Sequence, residues 1–522
     1  MCAKHADLIN FAKRNMSTEK VVVKSQNKES INNAKGNSVS LARFFLLEYP
    51  HLALDENREL YIYNKGIYED VDEKHFDELY MSFLKKNNIT DIWKLNRINE
   101  VKRAVYALKI LPIVKFDSYN NLICLKNCII NLDEMKRYEF SHKYFFTTRV
   151  DINYEEDCPH PKDFANFLQT TFTLNNEKPD MDTINNIIKI GGYLLYPQNN
   201  LEKMFLFLGE GANGKSILMT IFEMFFDEKN ISYLDLDTLS SASSLEREKL
   251  IGSRLNTTTE AKSNHIDSEM IKKIISSEGI TITRKFRVPV DYKPLTKLIV
   301  ASNTQPSFND STHGIYRRIF PITFRNRFIS KEEHKETPMT KVKRIYVSKD
   351  KNKMLKKIHK ERSAILNLFL SGLKKLIDND WQLIMSKNSD ETLEEYKNTS
   401  DTATYFLKEF YIEDSDKDCE GLTAENILLD YRSWYRANVS ESPLKYGVQT
   451  LGRKIKELWR IDSHRKYTGQ NKRERFYPLK RRNYAEEIIG ETSNNGDKQE
   501  EKFGDKKEVS QKEIDFKQKT EK

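Results

Sequence analysis

Cysteine is scarce in this chain, and its few positions form no pattern. The 522 residues include five cysteines, at Cys2, Cys124, Cys128, Cys158 and Cys419. An odd, scattered set is unlike a disulfide framework or a paired Cys-x-x-Cys zinc site. The spacing of Cys124 and Cys128, and the segment "CPHP" that begins at Cys158, also lack the partner pair that zinc needs. We therefore expect reduced thiols and neither thiol nor zinc chemistry.

Long apolar runs are also missing. No stretch has the length and apolar character of a membrane span, and the N-terminus lacks the charged-then-apolar plan of a signal peptide. No internal repeat is visible either. These absences lead us to expect a soluble, cytoplasmic protein without a membrane partner.

What the chain does have is length and charge. Its 522 residues predict two to four domains of roughly 100 to 200 residues each. Hydrophobic residues make up 38% and charged residues 31%, which is polar but compatible with folded cores. Lys and Arg number 86 against 77 Asp and Glu, a formal net charge of +9. An excess this small permits a polyanionic partner only if it is concentrated in one region.

Composition and periodicity divide the chain into six segments. Residues 1–37 and 484–522 are polar and aperiodic, and their composition predicts disorder. Residues 38–200 predict a mixed domain of helices and short strands, and 201–330 predict alternating strands and helices. Residues 331–415 hold a basic insertion followed by helices, and 416–483 predict a compact helical unit that ends in a strand pair.

The most informative stretch is "KMFLFLGEGANGKSILMTIFEMFF", which runs from Lys203 to Phe226. Here Gly209 and Gly214-Lys215-Ser216 have the phosphate-loop spacing G-x-x-x-x-G-K-S, between a predicted strand and a predicted helix. Unpaired N–H groups at a helix start attract anions, and glycines let the backbone wrap closely around phosphates. We predict that Lys215 neutralises phosphate oxygens and Ser216 ligates Mg²⁺. The predicted ATP-binding residues are Gly209, Glu210, Gly211, Ala212, Asn213, Gly214, Lys215, Ser216 and Ile217.

Phosphoryl transfer needs further groups, and two strand-like segments downstream offer them. "RLNTTTEAK" ends in Glu260, a candidate to polarise water, and "KLIVASNTQP" ends in Asn303, a candidate sensor of the γ-phosphate. Both side chains follow strands, where parallel α/β sheets bind ligands. Two alternatives stay open: Asp235 or Asp237 as the acid, and Asn303 as an ordinary turn residue.

An arginine pair follows in "HGIYRRIFPITF". Arg317 and Arg318 could supply a cation to the transition state, or they could form a solvated basic pair. The order lysine, glutamate, asparagine, arginine within about a hundred residues is compatible with one small NTPase core.

At this point the sequence resembles a known family. "GEGANGKS", "TTTE", "SEGITITRKFRVPVDYKPLTKLIVASNTQP" and "GIYRRIFPITF" resemble the superfamily 3 helicases of the phage and plasmid primase-helicase group, which are related to the poxvirus helicase-primase. Upstream, "ICLKNCIINLDEM" and "IIKIGGYLLYP" resemble the domain that precedes the ATPase in that group. Downstream, "LLDYRSWYRANVSESPLKYGVQTLGRKIKEL" is similar to its winged-helix tail.

The resemblance implies an α/β fold: an AAA+-like P-loop ATPase core, a mixed α+β N-terminal domain and a C-terminal winged helix. It implies a ring, usually a hexamer, that uses ATP and Mg²⁺ to move along one strand of forked DNA, with a separate primase among its replication partners. Carried over by position, Lys215 binds phosphate, Ser216 and Glu260 serve Mg²⁺ and water, and Asn303 senses the γ-phosphate. Arg318 would be the arginine finger from the neighbouring subunit, with Arg317 as the alternative.

The same resemblance places a pore hairpin within residues 279–297. Its candidate DNA contacts are Arg284, Lys285, Arg287 and Lys293, since cations bind a phosphate backbone without reading bases. Two departures from the family are visible: Glu278-Gly279 stands where a Gly-acidic pair is usual, and the strand before Glu260 is rich in threonine. Only residues 1–40 precede the resembling region, so we expect a helicase without its primase domain.

The basic excess is concentrated near the C-terminus. A predicted helix from about Gly447 to Trp459 and a hairpin around Thr468 to Asn471 have the plan of a winged helix. The candidate DNA contacts are Arg453, Lys454, Arg465, Lys466, Lys472 and Arg473, with interleaved aromatic residues. A solvated charged helix is the alternative.

The leading hypothesis is therefore a ring-forming, ATP-driven DNA helicase for replication of a phage, plasmid or other mobile element, located in the host cytoplasm if phage-encoded. The alternatives are a replication initiator that uses ATP as an assembly switch and a DNA-packaging motor.

Overall fold

A computed structural model gives the architecture. It describes residues 31, 34–174, 178–241, 244–259, 266–285, 287–306, 308, 313–329, 345–347, 350–400, 402–414, 421–438, 447–461, 463–468 and 472–482. The predicted disordered ends lie mainly outside these residues, and residues 331–344 of the segment predicted as a basic insertion, Glu260, Cys2 and Cys419 lie outside them. The chain forms two compact units, divided between residues 390 and 391.

The first unit begins with a small helical core and two three-stranded antiparallel sheets. Its helices are α1 (Ser38–Glu48), α2 (Glu73–Lys86) and α3 (Leu95–Ala107), and its strands are β1 (Leu52–Leu54), β2 (Leu60–Asn64), β3 (Ile67–Asp70), β4 (Leu122–Cys124), β5 (Ile129–Asn131) and β6 (Lys136–Tyr138). Phe45, Phe76 and Phe83 are fully buried where the helices meet. Asn37 and Asp72 cap α1 and α2 by accepting backbone N–H groups, which fixes where these helices start.

A five-stranded, all-parallel sheet forms the centre of this unit. Its strands are β7 (Met204–Leu208), β8 (Ile231–Ser232), β9 (Leu255–Thr259), β12 (Lys297–Ser302) and β13 (Ile319–Thr323), in the order β13-β7-β12-β9-β8. β7 and β12 are buried at every position, as expected for inner strands of a sheet covered on both faces. Parallel pairing brings the residues that follow β7, β9 and β12 to one end of the sheet.

The remaining elements of the first unit connect and cover the sheet. They are α4 (Lys162–Thr171), α5 (Met181–Leu195), α6 (Lys215–Glu223), α7 (Leu236–Ser240), α8 (Ser268–Ile275), the hairpin β10 (Ile280–Arg284) and β11 (Arg287–Tyr292), α9 (His313–Tyr316), the parallel pair β14 (Arg327–Ile329) and β15 (Ile345–Val347), α10 (Lys351–Lys360) and α11 (Arg362–Asp378). Helix α12 (Lys387–Ser400) spans the division between the units.

Helices α5 and α11 cross at glycines. A Cβ on Gly192 would lie 2.2 Å from the backbone oxygen of Phe369, and one on Gly372 would lie 2.8 Å from the backbone oxygen of Ile188. The backbones can approach this closely only because neither position carries a side chain. The crossing places both helices in the same hydrophobic core as β7 and α6.

This shared core differs from the predicted segmentation. Residues of α4 and α5, assigned from sequence to a domain ending at 200, pack with the central sheet, and so does α11, assigned to a linker. Helical periodicity predicts which face of each helix is apolar but not which distant partner covers it.

The second unit is built from α13 (Thr402–Phe410), β16 (Tyr411–Glu413), β17 (Leu422–Thr423), α14 (Ala424–Asn438), α15 (Val448–Trp459), β18 (His464–Thr468), β19 (Lys472–Tyr477) and β20 (Leu479–Arg481). Its sheets have the orders β17-β19-β18 and β16-β20. Its core includes Phe406 and Tyr411, so it begins before residue 416, the start predicted from sequence.

Candidate nucleotide site

The phosphate-loop segment joins a fully buried strand to a helix. β7 ends at Leu208 and α6 begins at Lys215, with the loop between them. Gly209 has φ +152° and Gly214 has φ +96°, conformations that disfavour residues with a Cβ. A Cβ on Gly209 would also lie 2.4 Å from the backbone oxygen of Phe324. The glycine spacing of the motif therefore matches what the loop geometry needs.

Lys215 is buried beneath this loop. Its side-chain nitrogen donates to the backbone oxygens of Gly209 and Glu210, the latter at 3.1 Å, and to Oδ1 of Asn303 at 3.2 Å. The residue is 8% exposed, and burial lowers the pKa of its ammonium. Among the described residues its partners are all oxygens, and none is a carboxylate. A phosphate could therefore replace them without breaking an ion pair.

Asn303 follows β12, the neighbour of β7, and is exposed. Its contact with Lys215 joins two residues that the sequence analysis assigned to one site from 88 positions apart. Ser216 is exposed at the second position of α6, where its hydroxyl can reach a cation beside the loop. The residues that the structure describes thus bring three of the predicted groups to one end of the sheet.

A segment that the sequence analysis missed supports the loop from behind. The backbone oxygen of Phe324 accepts from Asn213 Nδ2 at 3.4 Å, and the backbone N–H of Phe328 donates to the oxygen of Ala212 at 2.7 Å. Between them, buried Asn326 donates to the backbone oxygens of Thr170 and Thr171 at 2.8 and 3.0 Å. Residues 324–328 therefore tie the loop to α4. No local signal marks Asn326, because its partners lie about 155 positions earlier.

The acidic position is only partly visible. Glu260 lies outside the described residues, immediately after Thr259, the exposed last residue of β9. Its rival Asp235 caps α7 by accepting the Thr238 N–H at 2.7 Å, and it follows β8, the edge strand farther from β7. Asp237 is exposed in the first turn of the same helix. Strand order therefore favours the position after β9, which is separated from β7 only by β12.

Polar side chains of β9 form hydrogen bonds with neighbouring residues of the chain. Asn256 is fully buried, where its side chain accepts from the Leu234 N–H and donates to the Leu234 oxygen, both at 2.9 Å. Thr257 donates to Oε1 of Glu223 at 2.6 Å. Buried polar side chains of this kind are tolerated because they are paired. These hydrogen bonds explain how a strand rich in threonine can lie beside β12 inside the sheet.

The arginine pair lies at the opposite end of the sheet. Both residues precede β13, which runs parallel to β7, so a strand of five residues, roughly 16 Å long, separates them from the loop. Arg317 is exposed, whereas Arg318 is 8% exposed and donates to Ser276 Oγ at 2.8 and 3.1 Å and to the Gly314 oxygen at 3.0 Å. Neither arginine can reach the phosphate loop of its own chain.

The predicted pore segment is an antiparallel hairpin, β10 and β11, with an irregular register between Ile282 and Arg284. Lys285 and Arg287 are exposed at its tip, and Lys293 is exposed just beyond it. Arg284 instead pairs with Glu59 of the N-terminal core at 3.1 Å and is 12% exposed. Lys285 and Arg287 of the hairpin are therefore accessible to solvent, whereas Arg284 forms an ion pair within the chain.

In the second unit, α15 turns Leu451 and Ile455 into the core and leaves Arg453 exposed, while Lys454 donates to Thr404 Oγ1 at 3.4 Å. Arg465 is exposed on β18. Lys466, Lys472 and Arg473 are described in backbone only, on β18 and β19. Two of the interleaved aromatics, Trp459 and Tyr477, pack on the core.

The part of the chain that is described has neither a metal-binding cluster nor a membrane-spanning helix. No cluster of three or more His, Cys, Asp or Glu side chains could hold a metal ion there. No helix among those residues is long and apolar enough to cross a bilayer. Cys124, Cys128 and Cys158 are free thiols, and burial raises the pKa of each.

Two family models match parts of the chain. Residues 41–173 match "D5 N terminal like", and residues 207–318, which include the phosphate loop and the arginine pair, match "Family of unknown function (DUF5906)". Each match covers less than half of the chain.

Among curated proteins, the chain is 23% identical over 405 residues to a protein named "Putative helicase" from Acanthamoeba polyphaga mimivirus, covering 73% of this chain and 40% of that protein. It is 20% identical over 334 residues to a "Putative helicase" from Invertebrate iridescent virus 3, covering 60% and 35%, and 22% identical over 250 residues to a "Putative primase" from African swine fever virus, covering 45% and 25%. The chain thus spans between a quarter and two fifths of the lengths of these relatives. Together with the first family match, they support a relation to viral primase-helicases.

Among solved structures, the apo C-terminal region of NrS-1 covers 84% of this chain and 98% of its own, with 13% identity and a TM-score of 0.46.

Proposed function

We propose that this chain is the subunit of an ATP-driven DNA helicase that acts in replication of a virus, phage or other mobile element. The observation that carries the proposal is the contact between Lys215 of the phosphate loop and Asn303 of the adjacent parallel strand, at the end of the sheet where such folds bind ligands. The similarity to viral proteins named as helicases and primases supports the nucleic-acid part of the proposal.

In this proposal the loop and the start of α6 bind the triphosphate. Backbone N–H groups at a helix start face an anion, and Lys215 exchanges its present oxygen partners for phosphate oxygens. Ser216 and Glu260 would hold Mg²⁺, which when bound neutralises charge on the β- and γ-phosphates. Glu260 orients the attacking water, and Asn303 contacts the γ-phosphate while remaining in reach of Lys215.

A finger supplied by a neighbouring subunit fits the distance between the two ends of the sheet. Since the arginine pair cannot reach its own loop, a second copy of the chain has to bring one arginine to the triphosphate, as in a closed ring. We assign this role to Arg317 because it is exposed, whereas Arg318 is buried and already bonded within its own chain. A hexamer is the ring size that we propose.

DNA contact is assigned to two basic regions. Lys285 and Arg287 on the exposed hairpin tip would meet phosphates in the ring pore, and the helix α15 with the strands β18 and β19 forms the proposed winged helix, in which Arg453 and Arg465 are exposed.

The decisive experiment compares Glu260→Gln with Asp235→Asn in the full chain. We expect Glu260→Gln to retain ATP binding but to lose ATP hydrolysis and unwinding of forked duplex DNA, because the amide cannot activate water. Asp235→Asn should keep both activities, since that carboxylate caps a short helix. Normal hydrolysis by Glu260→Gln would refute the assigned acid.

The same measurements separate the alternative functions. A replication initiator that uses ATP only as an assembly switch would bind origin DNA and assemble with ATP, yet wild type would not separate strands. A packaging motor would hydrolyse ATP on duplex DNA without unwinding a fork.

A further inference from the structure

Arg318 is bonded to the element that carries the hairpin. Its guanidinium donates twice to Ser276 Oγ, at 2.8 and 3.1 Å, and Ser276 is the C-cap residue that directly follows α8. A third bond reaches the Gly314 oxygen, and Glu202 lies 3.7 Å away. One buried side chain therefore joins the end of α8, the start of β13 and the start of β7.

The end of α8 is also the base of the hairpin. Ser277, in the left-handed conformation with φ +52°, donates its hydroxyl to the Pro294 oxygen at 2.6 Å, which closes the segment that contains β10 and β11. Ser276 and Ser277 thus hold the same base in different directions. Ser277 bonds Pro294, two residues beyond β11, whereas Ser276 accepts two bonds from Arg318 and donates one to Glu202 at 3.4 Å.

Arg317 is the next residue along the chain and is exposed. Its backbone oxygen accepts a hydrogen bond from Lys203, which precedes β7. A displacement of the chain at Arg317 is therefore shared directly with Arg318, because consecutive Cα atoms are fixed about 3.8 Å apart.

We propose that Arg318 is a positioning residue that couples the finger to the hairpin: when Arg317 follows a neighbour's triphosphate, Arg318 carries that movement through Ser276 to the hairpin base. The inference rests on the proposed ring ATPase and assigns the arginine pair two different tasks. Arg317 touches the substrate of the next subunit, and Arg318 touches the element that touches DNA.

The test is Ser276→Ala in the full chain, which removes the oxygen that accepts two of the three bonds but leaves both arginines in place. Three quantities are compared with wild type: ATP hydrolysis without DNA, the fold stimulation of hydrolysis by single-stranded DNA, and base pairs unwound per ATP. Ser276→Thr keeps a hydroxyl and serves as the rescue. Thr281→Ala is the matched control, because it removes a hydroxyl from β10 that bonds Asp291 and not Arg318.

We expect Ser276→Ala to hydrolyse ATP without DNA but to lose about fivefold or more of its DNA stimulation, the lower end of typical coupling between two sites, and to unwind fewer base pairs per ATP. Ser276→Thr should recover both quantities, and Thr281→Ala should match wild type. If the contact between Arg318 and Ser276 only stabilises the fold, Ser276→Ala should lower the unfolding temperature without changing the DNA stimulation or the base pairs unwound per ATP.

Wild-type ratios in a folded Ser276→Ala protein would overturn the inference, and so would an equal loss in Thr281→Ala. If Ser276→Ala does not fold, Arg318→Lys provides the same test, because lysine keeps the charge but cannot bridge Ser276 and Gly314 with a planar fork. A wild-type protein that hydrolyses no ATP would refute the proposed function itself, an outcome visible before any variant is compared.

Discussion

The two ends of the central sheet hold their cations differently. At the amino ends, Lys203, Arg254, Lys297 and Arg318 precede or begin the four longer strands; the two arginines pair with the carboxylates of Asp117 and Glu202, and the two lysines bond backbone oxygens. At the carboxyl ends, the partners of Lys215 among the described residues are backbone and amide oxygens, without a carboxylate. One end is therefore built for fixed assembly, and the other is built for partners that can be exchanged.

Arg254 shows how strongly the amino end is fixed. It pairs with Asp117 at 3.0 Å with both side chains nearly buried, and it also donates to Thr148 and to the Pro197 oxygen. Since residues 117 and 148 belong to the region before α4, this network joins that region to β9. The carboxyl end has no comparable ion pair among its described residues.

The largest effect should come from breaking this pair. Asp117→Ala leaves a buried guanidinium without its carboxylate, and losing one partner of a buried pair costs about 3–5 kcal/mol. Urea unfolding followed by circular dichroism measures the loss. Lys126→Ala is the control, since its bridge to Asp151 is more exposed and should be worth at most about 1 kcal/mol. Equal effects of the two variants would remove the distinction between fixed and exposed pairs.

Nucleotide binding should act on the carboxyl end alone. At an ATP concentration about 100-fold above the dissociation constant, binding stabilises the native state by about 2.7 kcal/mol. Lys215→Ala should abolish this gain and change the nucleotide-free stability far less than Asp117→Ala does. Thermal unfolding with and without ATP and Mg²⁺ measures both quantities. A retained ATP-dependent shift in Lys215→Ala would contradict the site.

Arg317 and Arg318 allow a buried, bonded cation to be compared with an exposed one at adjacent positions. Arg318→Ala removes three hydrogen bonds from a buried charged group and should destabilise the fold by about 1–3 kcal/mol. Arg317→Ala changes an exposed side chain and should stay within about 0.5 kcal/mol. Arg317→Ala should instead act on activity. Arg317→Ala subunits mixed with Lys215→Ala subunits should recover ATP hydrolysis, because each type of subunit supplies the side chain that the other lacks. No recovery at any ratio, with assembly intact, would argue against a finger in trans.

The last prediction concerns how stability at Lys297 depends on pH. Burial lowers the pKa of this lysine well below its usual value of about 10.4, with Arg254 adding a like charge. Between the lowered pKa and about 10.4 the unfolded chain binds a proton that the folded chain has released, so folding stability rises with pH across that window. Wild type should therefore gain stability relative to Lys297→Met as the pH rises. Parallel pH profiles would mean that Lys297 titrates normally.

The site could be predicted from sequence wherever its signal is local. The glycine spacing, the apolar strand before it and the helix after it lie within 24 residues, and the structure has that strand, loop and helix. Asn303 was predicted as a site residue for the same reason, because it directly follows an aliphatic strand.

The sequence could not distinguish Arg317 from Arg318. Both are adjacent arginines before one strand, and their difference in burial depends on Ser276, 42 positions earlier. Asn326 was missed because its partners lie on α4. Residues on both sides of the predicted domain border at 200 share one hydrophobic core, and the local sequence of α5 does not reveal this because its partner α11 lies far along the chain.

The glycine crossing of α5 and α11 has a practical consequence for genetics. A methyl group on Gly192 or Gly372 would lie 2.2 or 2.8 Å from a backbone oxygen of the opposite helix, so alanine at either position must push the helices apart, whereas alanine at Gly191 would meet the ring of Phe369. These glycines are not among the proposed phosphate-binding residues, and their helices share a core with β7 and α6, so such alleles would act on the framework of the site rather than on its chemical groups. They are the positions at which to seek temperature-sensitive mutants whose replication function can be switched off by warming.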